Sequence, residues 1–126
     1  MVQGVFIQNV PLIRTVLAWG RSVQTPLVIL DTGFTGDLQV TPTMAEELGL
    51  KVIGVTPATI ANGETINTPV ALALASMEGR VNLVQVLISR GMPLAGISFL
   101  SKFSYKANFD CKYKTVKLER VEQLAG

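Results

Sequence analysis

The chain contains 126 residues, of which 48% are hydrophobic and 16% are charged, and its formal net charge is +2 at pH 7. This composition excludes a disordered chain, and the length suits a single domain, residues 1–126, with a substantial core. The chain has no histidine, which excludes Ser-His-Asp and Cys-His nucleophiles. One cysteine makes neither an internal disulfide nor a thiolate zinc site, so we expect no metal and no cofactor.

The N-terminal third is predicted to consist of strands. Residues 2–7 and 12–19 favour two strands, and Gly20-Arg21-Ser22 turns the chain toward the next one. We expect these strands to cover the core, and the first offers an edge that a second subunit could pair with. No basic region followed by a long apolar stretch opens the sequence, which predicts that there is no signal peptide and that the chain is cytoplasmic.

Residues 27–30 are four consecutive apolar residues that lead directly into Asp31. A half-exposed strand would alternate, so this run predicts a strand that is buried on both faces. An ionised carboxylate at the end of such a strand is costly unless it is paired or hydrogen-bonded. Gly33 and Gly36 allow the tight turn that would surround a reactive side chain there.

A short strand and a short helix are predicted next. Residues 37–40 alternate as a strand does, and Thr41 is a candidate N-cap because a proline follows it at the first helical position. Thr43 and Glu46 could instead form a capping box. In either case Gly49 supplies the end of the helix.

Two hairpins are predicted in the middle of the chain. Residues 56–61 and 64–70 flank Asn62-Gly63, the strongest short hairpin signal. A nearly continuous apolar span at 69–89 is interrupted at Glu78-Gly79, which predicts a second hairpin. Neither half of this span approaches the ~20 residues that a membrane helix needs, so we expect no membrane segment.

The C-terminal part begins with the apolar pair Leu94-Ala95 before Gly96. A short helix at residues 98–103 and strands at 105–110 and 115–121 follow. Cys111 lies between these strands, and we expect it to be a small hydrophobic residue that is at least half buried. The predicted class is all-β with one or two short helices.

The run Leu30-Asp31-Thr32-Gly33 resembles the active-site signature of aspartic peptidases. One copy in a chain of this length is similar to the single-lobed, retropepsin-like (clan AA) branch, and Asp-Thr-Gly-Phe-Thr-Gly is similar to prokaryotic members with a DTGF motif. Leu94-Ala95-Gly96 before a helix resembles the second signature, although Ala95 is smaller than the Leu or Ile expected there. The resemblance extends from the first strand to Lys117 and implies an acid-protease β-barrel with a flap hairpin.

The chemistry of this class requires two carboxylates in one site. They cannot both ionise cheaply, so one takes a proton from water while the other donates a proton to the scissile carbonyl. The chain contains three aspartates, Asp31, Asp37 and Asp110, and only Asp31 lies in an Asp-Thr-Gly frame. The second carboxylate is therefore expected from Asp31 of an identical chain across a two-fold axis. The resemblance thus implies a homodimeric endopeptidase.

Further roles are implied position by position. The catalytic loop comprises Asp31, Thr32 and Gly33, with the Thr32 hydroxyl bonded to the opposite subunit. Extended polypeptide would lie as an added strand between the flap and the floor of the site. The residues implied in substrate binding are Phe34, Thr35, Ala61, Asn62, Gly63 and Glu64. Of these, Asn62, Gly63 and Glu64 would form the tip of the flap hairpin. The residues implied in supporting the loop from behind are Leu94, Ala95 and Gly96.

Other functions stay open at this stage. A retropepsin-like fold that only binds peptide or dimerises carries the same motifs, because catalysis depends on dyad geometry and on water exclusion. The turn is also similar to phosphate-binding turns of sugar-kinase and actin-like ATPases, but those folds are far longer. Six of the eleven basic residues lie between Lys102 and Arg120, which we interpret as a solvated strand and turn, so no nucleic acid is expected as a partner.

Overall fold

The computed structural model describes residues 1–59 and 62–121, and this part of the chain is mostly β. The strands of its first half are β1 (Val2–Gln3), β2 (Val5–Ile7), β3 (Val10–Arg14), β4 (Val16–Trp19), β5 (Ser22–Gln24), β6 (Leu27–Leu30) and β7 (Leu38–Val40). Those of its second half are β8 (Val52–Thr59), β9 (Thr65–Met77), β10 (Arg80–Ile88), β11 (Leu94–Ala95), β12 (Tyr105–Asp110) and β13 (Thr115–Arg120). The helices are α1 (Pro42–Leu48) and α2 (Ile97–Lys102).

The strands form two sheets. The smaller sheet has the order β1-β13-β12, and the larger has the order β2-β3-β6-β11-β7-β10-β9-β4-β5, with β8 paired to β9. Most pairs are antiparallel, but β11 runs parallel to β6 and β10 runs parallel to β7. β6 and β7 follow each other in the sequence, yet β11 lies between them in the sheet. The loop at residues 31–37 must therefore pass around the end of β11.

One hydrophobic core joins both sheets and both helices. Its fully buried members come from the strands, as with Ile13, Val28 and Leu118, and from the helical segments, as with Leu48 and Phe99. Each such side chain contributes about 1.5–3 kcal/mol by leaving water. The core therefore holds β6, and with it the residue that follows β6, in a fixed position.

Each of the two N-terminal strands predicted from the sequence is divided into two strands in the structure. Residues 2–7 divide at Gly4, because β1 pairs with β13 in one sheet and β2 pairs with β3 in the other. The Gly4 N–H donates to the Val116 carbonyl at 2.9 Å, and a Cβ at this position would overlap the Leu12 carbonyl oxygen. Residues 12–19 divide at the buried Thr15, because β3 pairs with β6 whereas β4 pairs with β9. Both breaks are changes of pairing partner.

Most of the other predicted elements are confirmed. Helix α1 begins after Thr41, whose Oγ1 accepts a hydrogen bond from the Met44 N–H at 3.1 Å, and it ends at Gly49 with a φ of 71°. The two predicted hairpins are β8–β9 and β9–β10, and Glu78 and Gly79 supply the positive φ values of the second turn. In the strand at residues 27–30, Val28 and Leu30 are buried but the other two side chains are half buried.

The expectation for Cys111 is wrong, because this side chain is exposed. It lies in the turn between β12 and β13, where Asp110 Oδ1 accepts hydrogen bonds from the Lys112 and Tyr113 N–H groups at 3.1 and 2.9 Å. The turn projects into solvent and leaves no core for the thiol. No helix in the described part of the chain is long and apolar enough to cross a membrane.

A buried ion pair fixes the start of β7. Asp37 is 5% exposed, and its Oδ2 accepts hydrogen bonds from the Lys102 ammonium at 2.5 Å and from the Gln85 N–H at 2.8 Å. Oδ1 is buried and accepts no well-formed hydrogen bond, although the Ser98 hydroxyl lies close enough to favour the charged carboxylate. Burial raises the pKa of Asp37, but the hydrogen bonds from Lys102 and Gln85 and the nearby Ser98 hydroxyl together outweigh this effect and hold the pKa below its ordinary value.

This pair makes stability depend on pH. Because the folded-state pKa of Asp37 is lowered, its contribution is fully present above the unfolded value of about 3.9 and is lost as the pH falls through the folded value. We expect Lys102→Met to lower the free energy of unfolding by about 1–3 kcal/mol at pH 7 and by less at pH 3. Urea unfolding of wild type and variant at both pH values measures the difference. Lys51→Met, at an exposed site, is the control, and an equal loss at both pH values would contradict the assignment.

Candidate active site

The loop after β6 is a tight turn that holds the Asp31 side chain. The Asp31 N–H donates to the Ala95 carbonyl at 3.0 Å, and the Phe34 N–H donates to the Asp31 carbonyl at 3.1 Å. Asp31 Oδ1 accepts a hydrogen bond from the Gly33 N–H at 2.9 Å. The carboxylate is thus oriented by the backbone of its own turn, as the position after a buried strand requires.

The Asp31 turn faces outward. Asp31 is half buried, and Thr32 and Gly33 are exposed. Within residues 1–59 and 62–121 the ion pairs are Met1–Glu78 and Lys102–Asp37, so no cation of this region neutralises Asp31. A lone carboxylate can bind or accept a proton but can do little hydrolysis, because the chemistry needs a second, protonated group.

The residues predicted to support the loop do lie against it. Leu94 and Ala95 of β11 pair with Ile29 and Leu30 of β6. The Gly96 N–H donates to the Asp37 carbonyl at 2.9 Å, and the next N–H, that of Ile97, donates to the Phe34 carbonyl at 2.9 Å.

At Gly96 the chain passes so close to the loop that no side chain fits. A Cβ there would overlap the carbonyl oxygens of Gly36 and Phe34. The φ of Gly96 is −104°, which any residue can adopt, so the requirement for glycine is one of space. Ala95, which is 1% exposed, lies in the sheet between Leu30 and Leu38, so a small residue occupies this central position.

Phe34 and Thr35 line a cavity of about 350 Å³ between the loop and the arm of the predicted flap. This volume is in the range of small-ligand pockets. The Phe34 ring is half buried and packs over Gly36 and Gly96, where a Cβ on either glycine would overlap ring atoms. The remaining wall consists of residues that were not among those predicted to bind substrate: Gly36, Asp37, Thr56, Pro57, Ala58, Thr59, Gln85 and Leu87.

Only some of these unpredicted cavity residues could have been identified from the sequence around them. Residues 56–59 belong to an arm of the hairpin predicted as the flap, so a position next to the substrate could have been predicted for them. Gln85 and Leu87 reach the cavity because β10 pairs with β7, and this parallel pairing has no signature in the sequence around either residue.

The predicted flap tip is exposed and does not line this cavity. Asn62 Oδ1 accepts a hydrogen bond from the Glu64 N–H at 2.9 Å, and Gly63 has a φ of 86°, as a tight turn requires. Ala61, which was also predicted to bind substrate, lies outside the described residues. No group of three His, Cys, Asp or Glu side chains in the described ranges could hold a metal ion.

Gly96→Ala tests the close passage behind the loop. The methyl group would force Phe34 and Gly36 apart from α2, and we expect a loss of about 1–3 kcal/mol in the free energy of unfolding. Gly54→Ala is the matched control, because a Cβ on Gly54 meets only open space. Urea unfolding midpoints compare the two variants, and equal midpoints would contradict the steric requirement.

Comparisons with known proteins agree with this architecture. No family model and no curated protein sequence matches the chain. Several solved structures do match. One is a retropepsin-like aspartic protease from Rickettsia conorii, with 15% identity and a TM-score of 0.65 over 94% of this chain and 89% of that one. Another is the EIAV protease complexed with an inhibitor, with 16% identity and a TM-score of 0.64 over 76% of this chain and 89% of that one. The chain therefore has the all-β fold of the retropepsin-like aspartic proteases.

Proposed function

We propose that this chain is an aspartic endopeptidase that acts as a homodimer, in which Asp31 of each copy supplies one carboxylate of a shared dyad. The observation that carries the proposal is the Asp31 turn. Its carboxylate is held by the Gly33 N–H at the end of a core strand and is paired with no described cation. The fold that this chain shares with two solved proteases supports the proposal.

Two such carboxylates brought together would share one proton, because like charges at close range cannot both ionise cheaply. The ionised member takes a proton from a water molecule as its oxygen attacks the scissile carbonyl carbon. The protonated member donates its proton to the carbonyl oxygen. The newly protonated carboxyl then donates its proton to the leaving amine, and the C–N bond breaks. At the same time the other carboxylate takes a proton from a hydroxyl of the tetrahedral intermediate, which restores the shared proton.

The substrate of this proposal is an extended polypeptide. Phe34 and Thr35 form the floor, and the cavity between them and Thr56–Thr59 of β8 takes a side chain. The flap tip, Asn62, Gly63 and Glu64, closes over the peptide, which is held mainly through backbone hydrogen bonds as an added strand. The Thr32 hydroxyl, on the exposed side of the turn, bonds across the two-fold axis. We further propose that the enzyme works in the cytoplasm.

Asp31→Asn tests the dyad directly, because an amide can neither share the proton nor accept one from water. We expect peptide-bond cleavage to fall by about a thousandfold or more while the dimer persists. The assay is digestion of a peptide library at acid to neutral pH, with sedimentation of the same samples. Glu46→Gln, which removes an exposed carboxylate on α1, is the control and should retain full cleavage.

The outcomes separate the competing functions. Undiminished cleavage by Asp31→Asn would remove the dyad. A wild-type dimer that binds peptides and leaves them uncut would instead support a non-catalytic peptide-binding module.

A further inference from the structure

Strand β12 presents an unpaired edge. It pairs with β13 in an unbroken register from Tyr105↔Arg120 to Asp110↔Thr115, and no described strand pairs with its other side. The Val121 N–H donates to the Ser104 carbonyl at 2.8 Å. In an antiparallel ladder the backbone groups alternate in direction, so the even-numbered residues of β12 face β13. The N–H and C=O groups of Tyr105, Ala107 and Phe109 therefore point outward.

This edge lacks three of the common protections against pairing. Native edge strands are commonly very short, bulged or interrupted by proline. β1, β2 and β5, which end the sheets elsewhere, have two or three residues each, whereas β12 has six and contains no proline and no bulge. β8 is longer still, but it belongs to the hairpin proposed as the flap.

An apolar surface next to this edge reaches the Asp31 turn. Phe109 is 37% exposed, Ile97 at the start of α2 is 44% exposed and Val121 is 55% exposed. Thr32 lines the same depression as these three residues and Ala107. A protein whose strand pairs with β12 would therefore cover this apolar surface and lie beside the Asp31 turn.

We propose that two copies of the chain pair antiparallel through their β12 edges, with the two-fold axis at Asn108. The inference rests on the proposed homodimer and names the surface that forms it. The two three-stranded sheets join into one sheet with the order β1-β13-β12-β12-β13-β1. The outward N–H and C=O groups of Ala107 bond with those of the partner's Phe109, and the same bonds repeat across the axis.

The charged residues of β12 favour a second copy of β12 as the pairing strand, and they favour one register. With the axis at Asn108, Lys106 lies opposite the partner's Asp110, and this pair occurs twice. These are non-hydrogen-bonded positions, where opposed side chains come closest. An axis at Phe109 would set Lys106 opposite the partner's Lys112, and an axis at Ala107 would set it opposite the partner's Asn108. An axis between two residues would oppose an outward-facing residue with an inward-facing one, which forms no ladder.

The first test uses complementary charge variants. Lys106→Glu places two Glu–Asp contacts across the axis, and Asp110→Lys places two Lys–Lys contacts there. We expect each alone to weaken the dimer by about tenfold to a hundredfold, as measured by sedimentation equilibrium. An equimolar mixture of the two should form a heterodimer as tight as the wild-type dimer, because both contacts then join opposite charges. Lys114→Glu, in the exposed turn beyond the paired residues, is the matched control.

The second test addresses the backbone. Because the Ala107 N–H points away from β13, Ala107→Pro removes an outward donor and leaves the internal ladder intact. We expect this variant to unfold at the same urea concentration as a monomeric wild-type sample, yet to lose dimerisation at concentrations at which the wild type is dimeric.

The results separate this surface from the proposed activity. Three results would contradict the proposed surface. The first is a dimer whose affinity is unchanged by Lys106→Glu, Asp110→Lys and Ala107→Pro. The others are a mixture of the two charge variants that does not restore the dimer, and a wild type that is monomeric at every concentration. If Asp31-dependent cleavage persists in the first case, the peptidase stands without it. A dimer that responds as expected but cleaves nothing supports the surface and contradicts the peptidase.

Discussion

The insertion of β11 between β6 and β7 is the constraint on which the candidate site depends. Ala95 receives the Asp31 N–H, and Gly96 donates to the Asp37 carbonyl, so both ends of the loop are bonded to one short segment. The exclusion of any Cβ at Gly96 keeps that segment in contact with Phe34. The loop is therefore shaped by residues about sixty positions later in the chain, and it is formed before any substrate arrives. Such preorganisation is what catalytic groups require.

The three aspartates differ in what their surroundings leave each carboxylate free to bind. Asp37 is buried and paired with Lys102, which lowers its pKa and ties the loop to α2. Asp110 caps the turn after β12 through two backbone N–H groups. Asp31 receives a single N–H from its own turn and faces outward. Asp37 is therefore held inside the subunit, whereas Asp31 keeps capacity for water, substrate or a second copy.

Local signals predicted local structure well. The apolar run before Asp31, the Thr41 cap and the Asn62-Gly63 and Glu78-Gly79 turns depend on neighbours within a few residues, and the strands, helix and hairpins that they predict are present. The breaks at Gly4 and Thr15 could not be predicted, because they arise where a strand changes its partner in space. The same holds for the ion pair between Asp37 and Lys102, which are 65 positions apart in the sequence. The roles of the site residues follow from the resemblance and await the experiments.

The charged residues on the exposed edge of β12 are placed symmetrically about Asn108, and this placement determines which strand the edge can pair with. A lysine on an edge strand ordinarily discourages pairing, because a neighbouring strand must accommodate its charge. Lys106 and Asp110 lie at equal distances on either side of Asn108, so the strand opposes opposite charges when it meets its own copy in one register. A strand without this pattern, or the same strand shifted along the edge, leaves the charges unmatched or opposed. An edge of this kind favours one partner by penalising others, and in the proposed dimer that partner carries a second Asp31.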